Sequence, residues 1–383
     1  MRMLFAAAPG YGLMMPLVPL MWAAASAGHE VRLATTSRMC TVAADAGLQV
    51  VDVCPDRDTW AELMTTARSN PGGPPRSPFR LFTETMTAGT VEAGRELDAE
   101  VVVTTSDHHA GILAAAALHR PALEVGNRIS WSTRDSATQD RMAGFGGGPE
   151  ARAQLGIPAE GPELIARIDP RAPSMGGLTA DEPDPRDGVP WWAMRYVPFN
   201  GGAVIEPWVR ERPSRPRVVV TLGTVVPTVA GTDVVAVLLA ALADLDVEVV
   251  LALGDSDLDS LGELPSNVRA VGFLPLSAVL PTTTLIVHHG GSGTTAAPLH
   301  FGVPQVVLPS FADNPMSAER VVARGVGVSH DPTTLDADTA RGLVTQVLDD
   351  PSYATAAAEV AAELATQPSP GRIVTRVEEW MAR

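Results

Sequence analysis

The sequence predicts an α/β fold of two doubly wound domains that face each other across a cleft. Short apolar runs without polar alternation are separated by alanine-rich helical stretches, which is typical of parallel strands covered on both faces. This series occurs twice, and prolines crowd residues 168–216 between the two copies. At roughly 150 residues per domain, a chain of 383 residues forms two or three domains. Ligands of such sheets bind beyond the carboxyl ends of the strands, so we expect the site in the cleft.

The first series begins with an apolar segment, residues 3–27, that carries no charged side chain. A signal peptide is the alternative, because residues 25–28 resemble a small-residue cleavage site. Gly10, Gly12 and Pro16 interrupt the run, however, and a continuous helix tolerates such residues poorly. We therefore predict a strand, a glycine loop and a helix here. The predicted elements of this series are strands at 4–8, 31–35, 50–53, 101–105 and 122–125 and helices at 17–27, 41–47, 81–97 and 111–118.

The second series repeats the alternation after the proline-rich stretch. Its predicted elements are strands at 218–221, 247–253, 268–271, 285–288 and 305–308 and helices at 234–243, 294–300, 317–324, 337–348 and 353–364. The predicted organisation is a first domain at 1–195, a linker at 196–216, a second domain at 217–370 and a C-terminal helix at 371–383. This last helix is expected to pack back toward the first domain.

The charge balance excludes the usual kind of nucleic-acid-binding protein. Lys and Arg number 28 against 44 Asp and Glu, a net charge of −16, whereas nucleic-acid binders concentrate positive charge. An anionic ligand must therefore be held by local dipoles and backbone amides. Cys40 and Cys54 are too few for a disulfide framework or a zinc site. We expect a cytoplasmic protein without a membrane span.

The most specific motif is the run His288-His289-Gly290-Gly291-Ser292-Gly293-Thr294-Thr295, between a predicted strand and a predicted helix. Its glycines let the backbone approach a ligand closely. The amides of residues 292–295 are expected to lie unpaired at a helix N-terminus, where the dipole favours an anion. The hydroxyls of Thr294 and Thr295 add donors, and His289 is placed to donate to a phosphate oxygen. An ordinary glycine turn is the alternative, and the spacing matches neither a P-loop nor a dinucleotide fingerprint.

This run, with Gly302-Val303-Pro304-Gln305 and the Asp313-Asn314 pair, resembles the donor signature of family 1 glycosyltransferases. More closely, the chain resembles the actinobacterial enzymes that attach deoxysugars to polyketide, macrolide and enediyne aglycones. Residues 196–201, Tyr-Val-Pro-Phe-Asn-Gly, also match. The resemblance implies the GT-B fold, in which two Rossmann-like domains face each other and bind acceptor and donor, respectively. It implies no metal and no cofactor, since the nucleotide-diphosphate sugar is a co-substrate.

The resemblance also implies the donor contacts. The diphosphate is expected at the glycine turn, the base on Phe273 and at the backbone of Leu274, and the sugar hydroxyls at Asp313 and Asn314. Core packing is the alternative for Phe273, and a helix N-cap is the alternative for Asp313. The donor-binding residues implied in this way are Thr224, Phe273, Leu274, His289, Gly291, Ser292, Gly293, Thr294, Thr295, Asp313 and Asn314.

The chain departs from the family pattern at the catalytic base. In the inverting O-glycosyltransferases of this family, a histidine of the first loop deprotonates the acceptor and an acidic residue orients it. The matching positions are Leu13 and Thr105, so both members of this dyad are missing. Candidates for a relocated base follow the same strand as Thr105, and an imidazole suits this role; they are Asp107, His108 and His109. The alternative is that these residues cap the next helix, Asp107 being a good N-cap residue.

We expect inverting transfer of a (deoxy)sugar from a dTDP- or UDP-sugar to a small hydrophobic natural-product aglycone. Three explanations of the missing dyad stay open: a relocated base, an acceptor such as an acidic phenol that needs little activation, or a donor-binding accessory or inactive homologue. Slow donor hydrolysis distinguishes a transferase from a binding protein. A homodimer is compatible with the sequence. The expected acceptor surface consists of Gly12, Leu13, Met14, Phe79, Phe82 and Trp131.

Overall fold

The chain is described by a computed structural model that covers most of its length. The described residues are 1–62, 65, 78–136, 138–139, 148–223, 233–254, 263–310 and 312–383. Thr224, an expected donor contact, lies outside them.

The first domain is a mostly parallel sheet with helices on both faces. Its strands are β1 Arg2–Ala6, β2 Glu30–Thr35, β3 Val50–Asp52, β4 Val101–Thr105, β5 Ala122–Val125, β6 Leu164–Asp169, β7 Glu182–Pro183 and β8 Pro190–Ala193. Its helices are α1 Tyr11–Met14, α2 Val18–Ser26, α3 Arg38–Asp45, α4 Pro78–Leu97, α5 His109–Leu118 and α6 Gly148–Leu155. The strand order is β3-β2-β1-β4-β5-β6-β8-β7, and β7 runs antiparallel to β8 at the edge.

The apolar N-terminal segment forms the middle of this sheet. β1 pairs in parallel with β2 on one side and β4 on the other, and its residues from Met3 to Ala6 are fully buried. Gly10 then precedes α1, and a short 3₁₀ turn at Met15–Leu17 joins α1 to α2. In the part of the chain that the structure describes, no helix is both long enough and apolar enough to cross a membrane.

The second domain repeats the same plan after a linker that contains α7 Pro207–Arg210. Its strands are β9 Arg217–Thr221, β10 Glu248–Ala252, β11 Val268–Val271, β12 Leu285–His288, β13 Gln305–Val307 and β14 Gly327–Ser329. The helices that follow α7 are α8 Asp233–Leu242, α9 Leu276–Val279, α10 Ser292–Phe301, α11 Asn314–Arg324, α12 Ala337–Asp349, α13 Pro351–Thr366 and α14 Pro370–Met381. All strands are parallel, in the order β11-β10-β9-β12-β13-β14 that is typical of Rossmann sheets.

Most predicted elements are found, and the strands that were not predicted are β6, β7 and β8 in the first sheet and β14 in the second. β4, β5, β11 and β12 have the predicted bounds. Prolines crowd residues 168–216, which is typical of a linker, and this pattern hides β7 and β8 within the stretch and β6 at its start. Pro170 follows β6 and Pro190 begins β8, and a proline at a strand end removes no ladder hydrogen bond. The first sheet therefore extends to Ala193.

The last helix of the chain packs on the first domain. Ile373, Val374 and Val377 of α14 are buried in the same core as β1 and α2. The guanidinium of Arg376 lies 3.8 Å from the centroid of the Trp192 ring in β8. The chain thus crosses from the second domain back to the first, and the first-domain core includes residues from both ends of the sequence.

The packing of α14 leads to a stability prediction. Ile373→Ala should lower the free energy of unfolding by about 2–4 kcal/mol, because a buried aliphatic side chain is lost and a cavity remains. Glu379→Ala, on the exposed face of the same helix, should change it by less than about 0.5 kcal/mol. Urea denaturation of both variants measures the difference. Equal losses for the two variants would show that α14 contributes little to the first-domain core.

Candidate functional site

The carboxyl ends of the two sheets meet at a cavity of about 390 Å³ between the domains. The first loop lines it on one side, from Pro9 to Leu13, and the turn from Gly291 to Thr294 lines it on the other. Tyr196 and Asn200, just before the linker helix, also face it. Parallel strands and the doubly wound order place a site here, because the loops that follow the strands converge at this edge.

The glycine turn after β12 carries free backbone donors into the cavity. Gly290 has φ +88°, and a Cβ at this residue would lie 3.0 Å from the carbonyl oxygen of Asn314. The amides of Ser292, Gly293 and Thr294 are the first three of α10. No carbonyl of the helix lies four residues before them to accept their N–H groups. The positive end of the α10 dipole therefore lies at the cavity, where it favours an anion.

Thr295 does not belong to this donor set, which corrects the expectation from the sequence. Its amide donates to the carbonyl oxygen of Gly291 at 2.8 Å, and its hydroxyl donates to the same oxygen at 2.9 Å. Thr295 is fully buried. The helical hydrogen-bond ladder starts at this residue, so three amides are free at the N-terminus of α10 instead of the expected four.

His288 fixes the shape of the turn from inside the domain. It is fully buried, its Nε2 lies 2.7 Å from Oε1 of Gln305, and its Nδ1 accepts from the amide of Gly290 at 3.0 Å. Gln305 in turn donates to the carbonyl of Thr295 at 3.1 Å. Burial lowers the pKa of His288 to about 3, so the ring is neutral. His288 therefore packs into the domain interior.

His289 lies between two glycines at the edge of the cavity. A Cβ on Gly223 would lie 2.5 Å from Cε1 of His289, and a Cβ on Gly291 would lie 2.4 Å from its Nε2. Both positions therefore need glycine for this ring to fit. Burial lowers the pKa of His289 to about 4, and the nearby charge of Asp313 opposes this shift. Within the described chain its Nδ1 has no hydrogen-bond partner.

Asp313 and Asn314 lie at the start of α11 and line the cavity. Asp313 occupies the N-cap position, as the alternative held, but among the described residues its side chain makes no capping bond. It accepts instead from Nη1 of Arg128, in the first domain, at 3.1 Å. Asn314 is buried, and within the described residues its Nδ2 is unpaired. This amide is available to a ligand.

Phe273 and Leu274 lie at the carboxyl end of β11, and both line the cavity. Phe273 is 45% exposed, so the alternative that it is a core residue is wrong. Its ring lies against Gly201, where a Cβ would be 3.1 Å from Cζ. An exposed aromatic ring at the mouth of the site is suited to stacking on a planar base.

Asp107 is buried at the end of β4 and is held by several donors. Its Oδ1 accepts from the hydroxyl of Thr105 at 2.8 Å, and its Oδ2 accepts from Nη2 of Arg128 at 3.1 Å and Nδ2 of Asn127 at 3.2 Å. The N-cap position of α5 belongs to His108, so Asp107 is not the helix cap. These hydrogen bonds fix the position of the Asp107 side chain.

The two neighbouring histidines stand apart from the cavity. His108 is 1% exposed and burial lowers its pKa to about 3, while burial also lowers the pKa of the half-buried His109. Of the described residues that line the cavity, none is Asp107, His108 or His109. The structure therefore does not bring the expected base candidates to the cleft surface.

The expected acceptor surface is present in part. Gly12 and Leu13 line the cavity. Met14 and Phe82 are buried in two cores, at 0% and 1% exposure, so they are corrected to core residues. They point inward because each lies on the sheet-facing side of its helix. Met15 lines the cavity in place of Met14.

Two more expected acceptor residues lie away from the cavity surface. Trp131 is 7% exposed, and its ring lies 5.2 Å from the guanidinium carbon of Arg128, which it supports. Phe79, near the start of α4, is half-buried and is not among the described residues that line the cavity.

Several lining residues were missed from the sequence. The cavity is also lined by Tyr11, Ser37, Arg38, Met39, Trp60 and Arg128. Arg128 follows β5 by three residues, so the rule that sites form beyond strand ends could have indicated it. Tyr196 and Asn200 lie in a segment that the family resemblance had singled out. Trp60 has no comparable signal in the sequence.

Two family models match the chain. The N-terminal domain model of the erythromycin biosynthesis protein CIII-like family matches residues 68–223, and the C-terminal domain model matches residues 236–380. The chain belongs to this family. It is a natural-product deoxysugar glycosyltransferase with the GT-B fold.

Relatives of this glycosyltransferase match along almost its whole length. The elloramycin glycosyltransferase ElmGT of Streptomyces olivaceus is 35% identical and covers 98% of this chain and 97% of its own. The 10-deoxymethynolide desosaminyltransferase of Streptomyces venezuelae is 32% identical, with 96% and 94% covered. The crystal structure of SsfS6 from Streptomyces sp. SF2575, complexed with thymidine diphosphate, has a TM-score of 0.81 at 33% identity, with 99% of each chain covered.

The buried histidines lead to a prediction for stability against pH. The unfolded chain protonates its histidines near pH 6.5, whereas burial keeps the folded pKa of His108 near 3. The unfolded state therefore binds more protons between these values, and stability is full above pH 6.5 and falls as the pH drops toward 3. His108→Asn should reduce the slope of unfolding free energy against pH by about 1.4 kcal/mol per pH unit near pH 5.

The matched control for this experiment is His119→Asn. His119 is exposed and has φ 51°, a conformation that asparagine tolerates, so this variant should keep the parent slope. Denaturant unfolding at pH 4.5 to 7.5 measures both variants. An unchanged slope for His108→Asn would mean that His108 is protonated in the folded protein.

Proposed function

We propose that this enzyme transfers a deoxyhexose from a dTDP-sugar to a small hydrophobic aglycone, with inversion at the anomeric carbon. The observation that carries the proposal is the cavity between the domains, where the free amides of α10 face an apolar first loop. A dipolar anion site beside an apolar surface suits a reaction that joins a nucleotide sugar to a hydrophobic acceptor.

The donor side supports a nucleoside diphosphate. The amides of Ser292, Gly293 and Thr294, at the N-terminus of α10, provide donors for phosphate oxygens. His289 is neutral, so its ring carries one N–H, and donation of this N–H to a phosphate oxygen would replace its hydrogen bond with the backbone of Thr221. The overall charge of −16 disfavours an anion, so these local donors must supply the affinity. The related SsfS6 was crystallised with thymidine diphosphate, which favours the dTDP form over the UDP form.

The acceptor side supports an apolar molecule. Leu13, Met15 and Trp60 line the cavity from the first domain, and Phe199 lines it near the linker. Burial of apolar area contributes roughly 25 cal/mol per Å², so this surface favours a hydrophobic aglycone. The names of ElmGT and of the 10-deoxymethynolide enzyme refer to natural products, which agrees with this acceptor class.

The proposed step is a single displacement at the anomeric carbon. The acceptor nucleophile forms a bond to this carbon on the face opposite the diphosphate, and the carbon–oxygen bond to the diphosphate breaks. The electron pair of that bond stays with the leaving phosphate oxygen, where the α10 amides and His289 stabilise the developing charge. The proton of the acceptor is lost to solvent or to a basic group.

We further propose that the acceptor is acidic enough to need no histidine base. Leu13 occupies the position of the family histidine, and Thr105 donates to Asp107 instead of orienting a base. His108 is buried, and the carboxylate of Asp107 is paired with Arg128. Stabilisation of the leaving group then carries most of the rate enhancement. A phenol, or a ring carbon activated by a phenolate, is an acceptor of this kind.

The donor assignment predicts opposite effects for the two histidines of the turn. His289→Ala should weaken dTDP binding by about 1.5–3 kcal/mol, roughly 10- to 150-fold, since a hydrogen bond to a charged group is lost. His288→Ala should first lower stability, because the bonds to Gln305 and Gly290 are internal. Titration calorimetry with dTDP and thermal unfolding measure the two effects, and His330→Ala in the same domain is the control.

Two outcomes would contradict this assignment. A parent enzyme with no measurable affinity for dTDP would overturn the proposed donor. Loss of dTDP affinity in His288→Ala at unchanged stability, with normal affinity in His289→Ala, would exchange the roles of the two residues.

The proposed mechanism predicts how turnover depends on pH. With a series of substituted phenols as acceptors, the acid limb of the rate profile should move with the pKa of the phenol. His109→Ala should stay within roughly tenfold of the parent, whereas loss of a general base typically reduces the rate by 10²–10⁴-fold. An acid limb that stays near pH 6–7 for every acceptor, or a hundredfold loss in His109→Ala, would indicate a histidine base.

A further inference from the structure

The loop after β5 reaches across the cleft at two places. Arg128 donates through Nη1 to Oδ2 of Asp313 at 3.1 Å, and the hydroxyl of Ser292 donates to the carbonyl oxygen of Asn127 at 3.1 Å. Asp313 and Ser292 begin the two donor-domain helices that line the cavity. One loop of the acceptor domain thus holds both helix N-termini of the donor site.

Arg128 is anchored on the acceptor-domain side. Its Nη2 donates to the fully buried carboxylate of Asp107 at 3.1 Å, and its guanidinium carbon lies 5.2 Å from the centroid of the Trp131 ring. The side chain of Arg128 is 9% exposed. Because Asp107 is also held by Thr105 and Asn127, this half of the contact is rigid without the second domain. The bond to Asp313 is the half that depends on closure of the cleft.

Asp313 is shaped for this contact and for a ligand. Asp313 occupies the N-cap position of α11, but among the described residues its side chain makes no capping bond. Ala312 before it has φ 56°, an unfavourable conformation for a residue with a side chain. Beside the pair, Asn314 is 3% exposed and its Nδ2 is unpaired among the described residues, which points to a ligand that completes the site.

We infer that Arg128 is a positioning residue that couples closure of the two domains to binding of the donor sugar. The inference rests on the proposed dTDP-sugar donor and deepens it. Arg128 holds one carboxylate oxygen of Asp313, so that the other oxygen and Asn314 are oriented toward the sugar. The nucleotide part of the donor binds within the second domain and does not require this link. Binding of the sugar does require this link, because Asp313 is held in place only when Arg128 of the first domain contacts it.

The decisive experiment compares nucleotide with nucleotide sugar. Arg128→Gln should weaken binding of dTDP-glucose and dTDP-rhamnose by at least tenfold relative to the parent, while the Kd for dTDP should change by less than threefold. Turnover should fall 10- to 100-fold. Arg128→Lys should recover part of this loss, because a lysine keeps the charge but cannot span two carboxylates with one planar group. Arg134→Gln, in the same loop and paired with Glu182, is the matched control.

A double-mutant cycle separates positioning from a purely structural role. Asp313→Asn should lose at least as much sugar affinity as Arg128→Gln, because it removes the link and the sugar contact together. Adding Arg128→Gln to Asp313→Asn should then cause little further loss. Asp313→Asn leaves the pair of Arg128 with Asp107 intact, so it tests the link even if Arg128→Gln fails to fold. Losses that multiply in the double variant, or equal losses for dTDP and dTDP-sugars, would overturn the inference.

X-ray scattering tests the link without any ligand. The radius of gyration of the ligand-free enzyme should increase in Arg128→Gln and in Asp313→Asn but not in Arg134→Gln. An unchanged radius in both cleft variants would overturn the coupling to closure. A parent enzyme that does not bind dTDP would contradict the proposed donor instead, since the scattering measurement does not depend on it.

Discussion

The close approach of backbone and side chains in the turn after β12 is the constraint on which the site depends. His289 fits between Gly223 and Gly291 because neither residue has a Cβ. His288 holds the turn from the domain interior, through hydrogen bonds with Gln305 and the amide of Gly290. With the turn held on both sides, the first amides of α10 stay directed at the cavity. A preorganised set of donors of this kind stabilises developing negative charge without rearrangement.

The position of the donor site also depends on the first domain. β5 ends beside the cleft, and the loop that follows it brings Asn127 and Arg128 into contact with the two helices whose N-termini line the cavity. Burying an arginine between two carboxylates costs desolvation free energy unless all three groups are well paired. The net charge of the chain is −16. Asp107 is fully paired, whereas Asp313 keeps one oxygen for a ligand. The charge cluster therefore links the fold of one domain to the binding surface of the other.

The chemistry follows from what surrounds the acceptor. A leucine faces the cavity where the family pattern has a histidine, and His108 and His288 are buried, neutral and absent from the described lining of the cavity. The free amides of α10 and His289, which can stabilise a leaving diphosphate, line the same cavity. Because the cavity has donors for the leaving group but a leucine in place of the base, we propose that most of the catalysis comes from leaving-group stabilisation and little from acceptor activation. The proposed acceptors are acidic enough to ionise without a base on the enzyme, so the ionised acceptor is itself the nucleophile.

The sequence by itself determined the fold class, most strands and helices and the glycine turn, because apolar periodicity and turn chemistry are local properties. It did not reveal β6, β7 and β8, since prolines at strand ends look the same as prolines in a linker, and it did not reveal the short strand β14. The glycine motif predicted that His289 and residues 292–294 lie at the cavity. It did not predict that the amide of Thr295 is bonded to Gly291, because this depends on where the helical ladder starts.

Only the tertiary structure decided which side chains face the cleft. Met14 and Met15 are neighbours in sequence and belong to the same core, yet Met15, at the start of the 3₁₀ turn, also lines the cavity and Met14 does not. Arg128 and Asp313 are 185 residues apart, so their pairing depends on how the two domains meet. Burial likewise decided that His108 is neutral and is not among the described residues that line the cavity. These are properties of packing between distant segments, and no local pattern encodes them.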